Sequence, residues 1–208
     1  MLSLTDNSQD EIKHNGHVYV PNLCFDNVLQ FYKLMDDDDV SQSDKVLFAF
    51  ESFYGQEALE HVVDNEDTDF LIEAVQIVTD YINEDPYGQF QTGVGSDTPN
   101  RSFSYIQDAE MIYAGFMQQY GIDLVEEQGK MHWDKFKALL HGLTDKTLFK
   151  QIIQIRETET NDIEDQKEVQ HIRELQDYYA LTEGMSVEDQ AQSQDDIFAG
   201  IVGAVEGG

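Results

Sequence analysis

The stretch MHWDKFKALLHGL, residues 131–143, contains the chain's only tryptophan and two of its six histidines. On a helix with 100° between residues, its apolar side chains fall on one arc. The opposite arc carries Asp134, Lys137 and His141. The pattern therefore predicts an amphipathic helix that packs by its apolar face. Four of its side chains are expected in the structural core: Trp133, Phe136, Leu140 and Leu143.

The two histidines of this stretch are not expected to bind a metal ion together. His132 lies on the apolar arc and His141 lies about half a turn around the cylinder, unlike an i, i+4 pair of ligands. No nucleophile or carboxylate stands at a recognisable spacing from His132. An imidazole at the core edge with one hydrogen bond is therefore favoured over a catalytic histidine.

Helical periodicity extends over residues 102–182 and predicts a small C-terminal helical bundle. The first of its helices ends at Gly121, and its apolar stripe places Tyr113 and Phe116 in the core. Thr144 is the expected N-cap of the third helix. The four predicted helices cover about residues 106–120, 131–143, 144–156 and 162–181.

The first part of the chain predicts a β-hairpin followed by helices. Asn15-Gly16 stands between two short alternating runs, which favours a hairpin over residues 11–20 with a tight turn at positive φ. Ser43 and Gly55 supply a start and a stop for the second helix. The predicted helices cover about residues 25–35, 43–55, 56–63 and 67–85.

These patterns predict a mainly α protein with two small helical units and a short N-terminal β-hairpin. The N-terminal hairpin and helical unit cover residues 1–84, and the C-terminal bundle covers residues 102–182. Between them, residues 85–101 are rich in glycine and proline and have no helical period, which predicts a linker.

Residues 183–208 are predicted to form an acidic mobile tail with a short apolar helix. Its end, DDIFAGIVGAVEGG, has two acids that suit a helix N-terminus, followed by apolar residues at helical spacing. Gly200 and Gly203 each cost about 1 kcal/mol relative to alanine, so this helix needs a groove to bind. That groove could lie on its own bundle, on another copy or on a partner. The candidate partner-binding residues are Ile197, Phe198, Ile201, Val202 and Val205.

The charge of the chain restricts its partners. It has 42 acidic and 12 basic residues, a net charge of −30, whereas DNA, RNA and anionic lipid all require clustered Lys and Arg. Cys24 is the only cysteine, so no intramolecular disulfide or cysteine-based zinc site is expected. No apolar run approaches about 18 residues and no secretion leader is evident, which predicts a reducing cytoplasm and no membrane association.

The sequence contains no recognisable catalytic motif. A twelve-residue calcium loop that starts within residues 36–39 never has glycine sixth and glutamate twelfth, so the EF-hand pattern fails. The GVG at residues 93–95 follows no strand and lacks the lysine of a phosphate loop. Motifs of serine hydrolases, zinc proteases and nucleotide-binding proteins are not present. We therefore predict a non-enzymatic protein without catalytic residues, cofactor or metal.

Two blocks of the sequence resemble the bacteriophage gene-product-fifteen family of long-tailed phages and prophages of Gram-positive bacteria. They are SYIQDAEMIYAGFMQQYGIDL, residues 104–124, and MHWDKFKALLHGLTDKTLFKQIIQIRE, residues 131–157. The N-terminal NGHVYVPN, followed by a helix and an acidic segment, is also similar, so the resemblance covers about residues 10–182. The chain departs from the family at Asp134, where an aromatic residue often follows the tryptophan, and in its long linker and apolar end.

The resemblance implies a gene between those of the major tail protein and the tape-measure protein, the usual position of tail assembly chaperones. Such a chaperone is non-enzymatic, binds the tape-measure protein and keeps it soluble in the host cytoplasm during virion assembly. Self-association is also expected. An acidic helical body with a conditional apolar helix suits this role. Two alternatives stay open: a structural tail component retained in the virion, and an acidic DNA mimic.

Overall fold

A computed structural model of the chain describes residues 11–84, 102–161 and 163–181. The predicted linker over residues 85–101 and the predicted tail over residues 183–208 lie outside the described residues, as do the five candidate partner-binding residues of the tail. The described part of the chain forms eight helices and one two-stranded antiparallel sheet. The predicted mainly α fold with an N-terminal β-hairpin is therefore confirmed.

The described residues form two compact units. Unit one contains residues 11–84 and 128–136, and unit two contains residues 102–127 and 137–181 without residue 162. The boundary between the units falls within one helix, Trp133–His141. This division differs from the sequence-based ranges, which place all of residues 102–182 in one bundle.

The hairpin forms where the Asn-Gly pair predicts it. Strand β1, Ile12–His14, pairs antiparallel with β2, His17–Tyr19. The turn residues Asn15 and Gly16 have φ values of 48° and 81°. Two consecutive residues at positive φ give a turn whose twist matches that of the strands, and asparagine and glycine adopt this conformation most readily.

Four helices follow the hairpin in unit one. Ser41, and not Ser43, is the N-cap of the second helix, because its hydroxyl accepts a hydrogen bond from the backbone N–H of Asp44 at 3.2 Å. This helix ends at Gly55, whose φ is 88°, as the sequence predicts. The helices are α1, Phe25–Met35; α2, Gln42–Tyr54; α3, Gln56–Asp64; and α4, Thr68–Ile82.

Unit one has an aromatic core. Tyr19 of the hairpin lies with its ring centroid 4.8 Å from that of Phe70, so the hairpin covers part of this core. Aromatic side chains bury large apolar areas and dominate the packing energy of such a core. Its most deeply buried aromatic side chains are Phe31, Phe50, Phe53, Phe70, Trp133 and Phe136.

Backbone hydrogen bonds attach residues 131–136 to unit one. The N–H of Trp133 donates to the carbonyl of Leu23 at 2.7 Å, and the N–H of Phe25 donates to the carbonyl of Met131 at 2.9 Å. Such pairing between distant segments has no periodic signal in the sequence. Helical periodicity alone therefore could not separate these residues from the second bundle.

The side chain of Trp133 is almost fully enclosed within unit one, with 1% exposure. Its indole N–H donates to the carbonyl of Ile82 at 3.0 Å. Ile82 is the last residue of α4, where carbonyls have no partner within the helix. The indole ring also stacks on Phe136 with 5.6 Å between centroids. Trp133 thus fills the core and binds the end of a helix.

Two polar neighbours of Trp133 lie differently from the helical-wheel expectation. Asp134 is expected on the outer arc, but it is 7% exposed and its carboxylate accepts a hydrogen bond from the Tyr81 hydroxyl at 2.5 Å. His132 is expected at the core edge, but it is exposed, and its Nδ1 accepts from the N–H of Asp134 at 3.2 Å. Because the helix begins only at Trp133, the wheel does not apply to His132.

Unit two contains the remaining helices, of which the helix Trp133–His141 contributes only its second half. The first ends at Gly121, whose φ is 65°, as predicted. The third is capped by Thr147 and not by Thr144, since the Thr147 hydroxyl accepts from the N–H of Lys150 at 3.4 Å. The helices are α5, Ala109–Tyr120; α6, Trp133–His141; α7, Leu148–Glu157; and α8, Gln166–Tyr178.

The core of unit two contains three of the side chains that the sequence places there: Phe116, Leu140 and Leu143. Tyr113 is only half-buried. Helix α5 approaches Leu143 closely at Gly115, where an added Cβ would lie 3.1 Å from a Leu143 methyl carbon. A glycine at this position therefore sets the spacing between α5 and Leu143.

Candidate partner-binding groove

An apolar groove of about 340 Å³ lies in unit one between α2, α3 and α4. We call it the α2–α3–α4 groove. Its polar lining residues are Ser43, Glu66 and Thr68. Its aliphatic lining residues are Val46, Leu47, Val62, Val63, Leu71 and Ile72.

The aliphatic residues of the groove form a buried floor and open walls. The floor consists of Val46, Val62 and Leu71, which are at most 5% exposed. In the walls, Val63 is 53% exposed, and Leu47 and Ile72 are partly exposed. Removing such apolar surface from water is favourable by about 25 cal/mol per Å². The walls are therefore suited to contact another apolar surface.

The turn between α3 and α4 contributes Glu66, one of the polar residues that line the groove. Glu66 lies in this turn with a φ of 54°, a conformation that few non-glycine residues adopt. The next residue, Asp67, caps α4 by accepting a hydrogen bond from the N–H of Phe70 at 3.4 Å. The turn thus places Glu66 among the residues that line the groove.

The hairpin anchors this turn. The imidazole Nε2 of His14 lies 2.6 Å from the Asp67 carboxylate, and the Asn15 amide donates to the same oxygen at 3.1 Å. The His14 ring also stacks on Phe70, with 3.8 Å between centroids. The hydrogen bond from His14 is the largest of the effects that hold the pKa of Asp67 below its usual range. Asp67 therefore joins the hairpin, the turn and α4.

The sequence around the groove is strongly acidic. Lys45 is the only lysine or arginine between residues 41 and 73, and it is 2% exposed. Its ammonium group donates to the carbonyl of Met35 at 2.5 Å. This part of the chain therefore presents carboxylates to the solvent and no lysine or arginine. Its acidic residues are Asp44, Glu51, Glu57, Glu60, Asp64, Glu66, Asp67, Asp69 and Glu73.

Unit two contains a buried ion pair with many hydrogen bonds. The guanidinium of Arg156 contacts both carboxylate oxygens of Asp108, at 2.7 and 2.8 Å. Arg156 also donates to the carbonyls of Ser102 and Tyr179, and Asp108 accepts from the N–H of Ser104. The two side chains are 8% and 2% exposed. These bonds tie the start of unit two to the end of α8, which is a structural role.

In residues 11–84, 102–161 and 163–181, no group of three or more His, Cys, Asp and Glu side chains is arranged to hold a metal ion. No helix in this described part of the chain has the length and apolarity needed to cross a membrane.

Sequence patterns did not predict the groove. The apolar stripe of α4 identifies Leu71 as a core residue but omits the neighbouring Ile72, and α3 is too short for a clear stripe. One sequence feature could have indicated an apolar surface here: Leu47, Val63 and Ile72 stand beside buried aliphatic residues in an otherwise acidic segment. This signal does not reveal that three helices bring these side chains together.

A family model described as Bacteriophage Gp15 protein matches residues 4–181. The match includes both sequence blocks that carry the resemblance and the residues of the groove. No curated protein and no solved structure shows significant similarity to the chain.

Proposed function

The chain belongs to the family of bacteriophage Gp15 proteins, as its sequence predicts, and from this premise we propose that it is a non-enzymatic tail assembly chaperone. It binds the phage tape-measure protein and keeps it soluble in the host cytoplasm during tail assembly. It uses no cofactor and has no nucleic-acid or membrane partner. The observation that carries the proposal is an open aliphatic groove on a strongly acidic protein.

A chaperone for a long, aggregation-prone protein needs two properties at once. It must offer apolar surface to the segments that would otherwise associate with each other. It must also keep the complex in solution when many copies bind side by side. A net charge of −30 favours solubility because bound copies repel one another. The groove supplies the apolar surface, and the charge keeps the complex in solution.

The decisive experiment expresses the tape-measure protein in a bacterial host with and without this chain. We expect the soluble fraction of the tape measure to rise severalfold with the chain, and the two proteins to co-purify. A matched control replaces the chain with an unrelated acidic protein of similar size and charge. If that control works equally well, or if the tape measure stays insoluble with both, the proposal is refuted.

Purified phage particles separate this role from the alternative of a structural tail component. A chaperone leaves before the tail is complete, so the chain should be missing from mature virions analysed by mass spectrometry. Detection at a stoichiometry comparable to that of tail proteins would favour the structural role.

Self-association is a further part of the proposal, and we propose the C-terminal segment as its site. Deletion of residues 194–208 should leave the melting temperature unchanged and reduce self-association in sedimentation velocity. The same deletion also tests whether Phe198 and its apolar neighbours contact the tape measure. Unchanged sedimentation together with full tape-measure solubility would exclude the segment from both roles.

A further inference from the structure

We propose that the α2–α3–α4 groove binds a short amphipathic helix whose apolar stripe is flanked by lysine or arginine. The inference rests on the proposed function, because the tape-measure protein is the partner expected to supply such a helix. It adds the location of the contact and the chemistry of the segment that is bound.

The shape of the groove favours a helix. It is bordered by three helices, its open walls are aliphatic side chains, and none of its lining residues lies in a strand. An extended peptide binds best by adding to a sheet edge, whereas an amphipathic helix inserts side chains at i, i+3 and i+4 into an apolar groove. Val63 and Ile72 are the side chains that such a helix would cover.

The charges around the groove determine which charged residues should flank the apolar stripe of the bound helix. Glu66 lines the groove, and the exposed Asp69 and Glu73 adjoin the lining residues Thr68 and Ile72 in the sequence. The only lysine of this segment, Lys45, is buried and bonded to a backbone carbonyl. Complementary charges across an interface fix the choice and orientation of the partner. An incoming helix with basic flanks is therefore favoured over a neutral or acidic one.

The same charges disfavour the chain's own apolar segment as the occupant. Asp195, Asp196 and Glu206 flank its apolar residues, and no lysine or arginine occurs after Arg173. Docking this segment in the groove, from the same or from another copy, would bring like charges together. Like charges opposite each other penalise the wrong partner.

Fluorescence anisotropy with the full-length chain tests the proposal. The probe is a labelled synthetic helix with leucine at i, i+3, i+4 and i+7 and with lysine on both flanks. The matched peptide has the same leucines with glutamate flanks, and a third peptide has the sequence of residues 194–208. We expect the lysine-flanked peptide to bind at least about tenfold more tightly than either of the others. Its affinity should fall as salt is raised.

Two matched substitutions assign the binding to the groove. Val63→Gln removes the most exposed aliphatic wall and should weaken binding of the lysine-flanked peptide by threefold or more. Val125→Gln changes a valine of unit two that is 63% exposed, and it should leave binding unchanged. Melting curves of both variants verify that the chain is folded.

Four results of the peptide titrations would overturn the proposal: no binding of the lysine-flanked peptide at millimolar concentration, equal binding of the glutamate-flanked peptide, tighter binding of the 194–208 peptide, or equal effects of the two substitutions. Solubilisation of the tape measure by Val63→Gln as well as by the wild type would also overturn it, while the proposed function stands. If the wild type itself fails to solubilise the tape measure, the function is refuted, and the peptide titration still decides what the groove binds.

Discussion

Unit one has exposed aliphatic side chains in a groove. In unit two, by contrast, a buried pair of charged side chains bonds to each other and to backbone groups of the same unit. In the groove, Val63 and Ile72 stand beside the floor residue Val62 and remain accessible to solvent. In unit two, Asp108 and Arg156 contact each other and the surrounding backbone. The groove can gain further apolar contact when a segment binds to it, while the ion pair has its partners already. Substitutions in the two places should therefore affect different properties, binding in the first and stability in the second.

The largest effect on stability is expected in the core of unit one. Trp133→Ala removes a large buried side chain and the hydrogen bond to Ile82, and it should lower the free energy of unfolding by about 4–5 kcal/mol. Urea unfolding followed by circular dichroism measures this change. Lys135→Ala, on the exposed side of the same helix, should stay within about 0.5 kcal/mol of the wild type. Equal midpoints for both variants would contradict the core position of Trp133.

A slightly smaller loss is expected when the ion pair of unit two is broken. Arg156→Gln leaves the buried carboxylate of Asp108 without its counter-charge and should cost about 3–4 kcal/mol. The control is Arg173→Gln on the exposed surface of α8, which should be nearly neutral. Binding of the lysine-flanked peptide at a temperature where Arg156→Gln is folded should not change. A loss of binding in that variant would show that the two units do not act separately.

The floor and the wall of the groove can be compared at two adjacent valines. Val62 is 2% exposed and Val63 is 53% exposed. Val62→Ala should cost about 2 kcal/mol of stability because it removes buried methyl groups. Val63→Ala should change stability by less than about 0.5 kcal/mol and should affect binding instead. If both variants are equally destabilised, Val63 is a core residue and not a contact surface.

The smallest effect concerns the acid sensitivity of the turn beside the groove. His14 holds the pKa of Asp67 below its usual range, so this contact stabilises the folded state above about pH 4 and is lost as the pH falls further. His14→Ala should raise the pKa of Asp67 in a carboxyl NMR titration and should reduce the loss of stability between pH 5 and pH 3. Lys13→Ala serves as the neighbouring control. An unchanged Asp67 titration in His14→Ala would remove the histidine from this role.

The sequence located the ends of helices better than it located their starts. Asn15-Gly16 was sufficient for the hairpin, and Gly55 and Gly121 marked the ends of two helices, because a left-handed turn favours few residue types. The predicted starts were wrong where two capping residues stand close together. Ser41 caps α2 instead of Ser43, and Thr147 caps α7 instead of Thr144, because the Ser41 and Thr147 hydroxyls accept hydrogen bonds from N–H groups of those helices in the folded chain.

The candidate site could not be derived from the sequence in the same way. Exposure of Val63 and burial of Val62 depend on where α2 and α4 pack against α3, and a nine-residue helix has too few turns to indicate its outer face. Asp134 illustrates the same limit, because the helical wheel places it outside, while Tyr81, 53 residues earlier, supplies its hydrogen bond. Such partners are brought together only by packing.

The sequence by itself determined the family, the mainly α class, the hairpin and the acidic character of the chain. These properties depend on residue identity or on patterns a few residues long, which survive without knowledge of the fold. The tertiary structure alone decided that residues 131–136 belong to unit one, that Asp108 and Arg156 form a buried pair, and that three helices enclose an aliphatic groove. Each of these features joins residues far apart in the chain, and their contact energies exist only once the backbone brings them together.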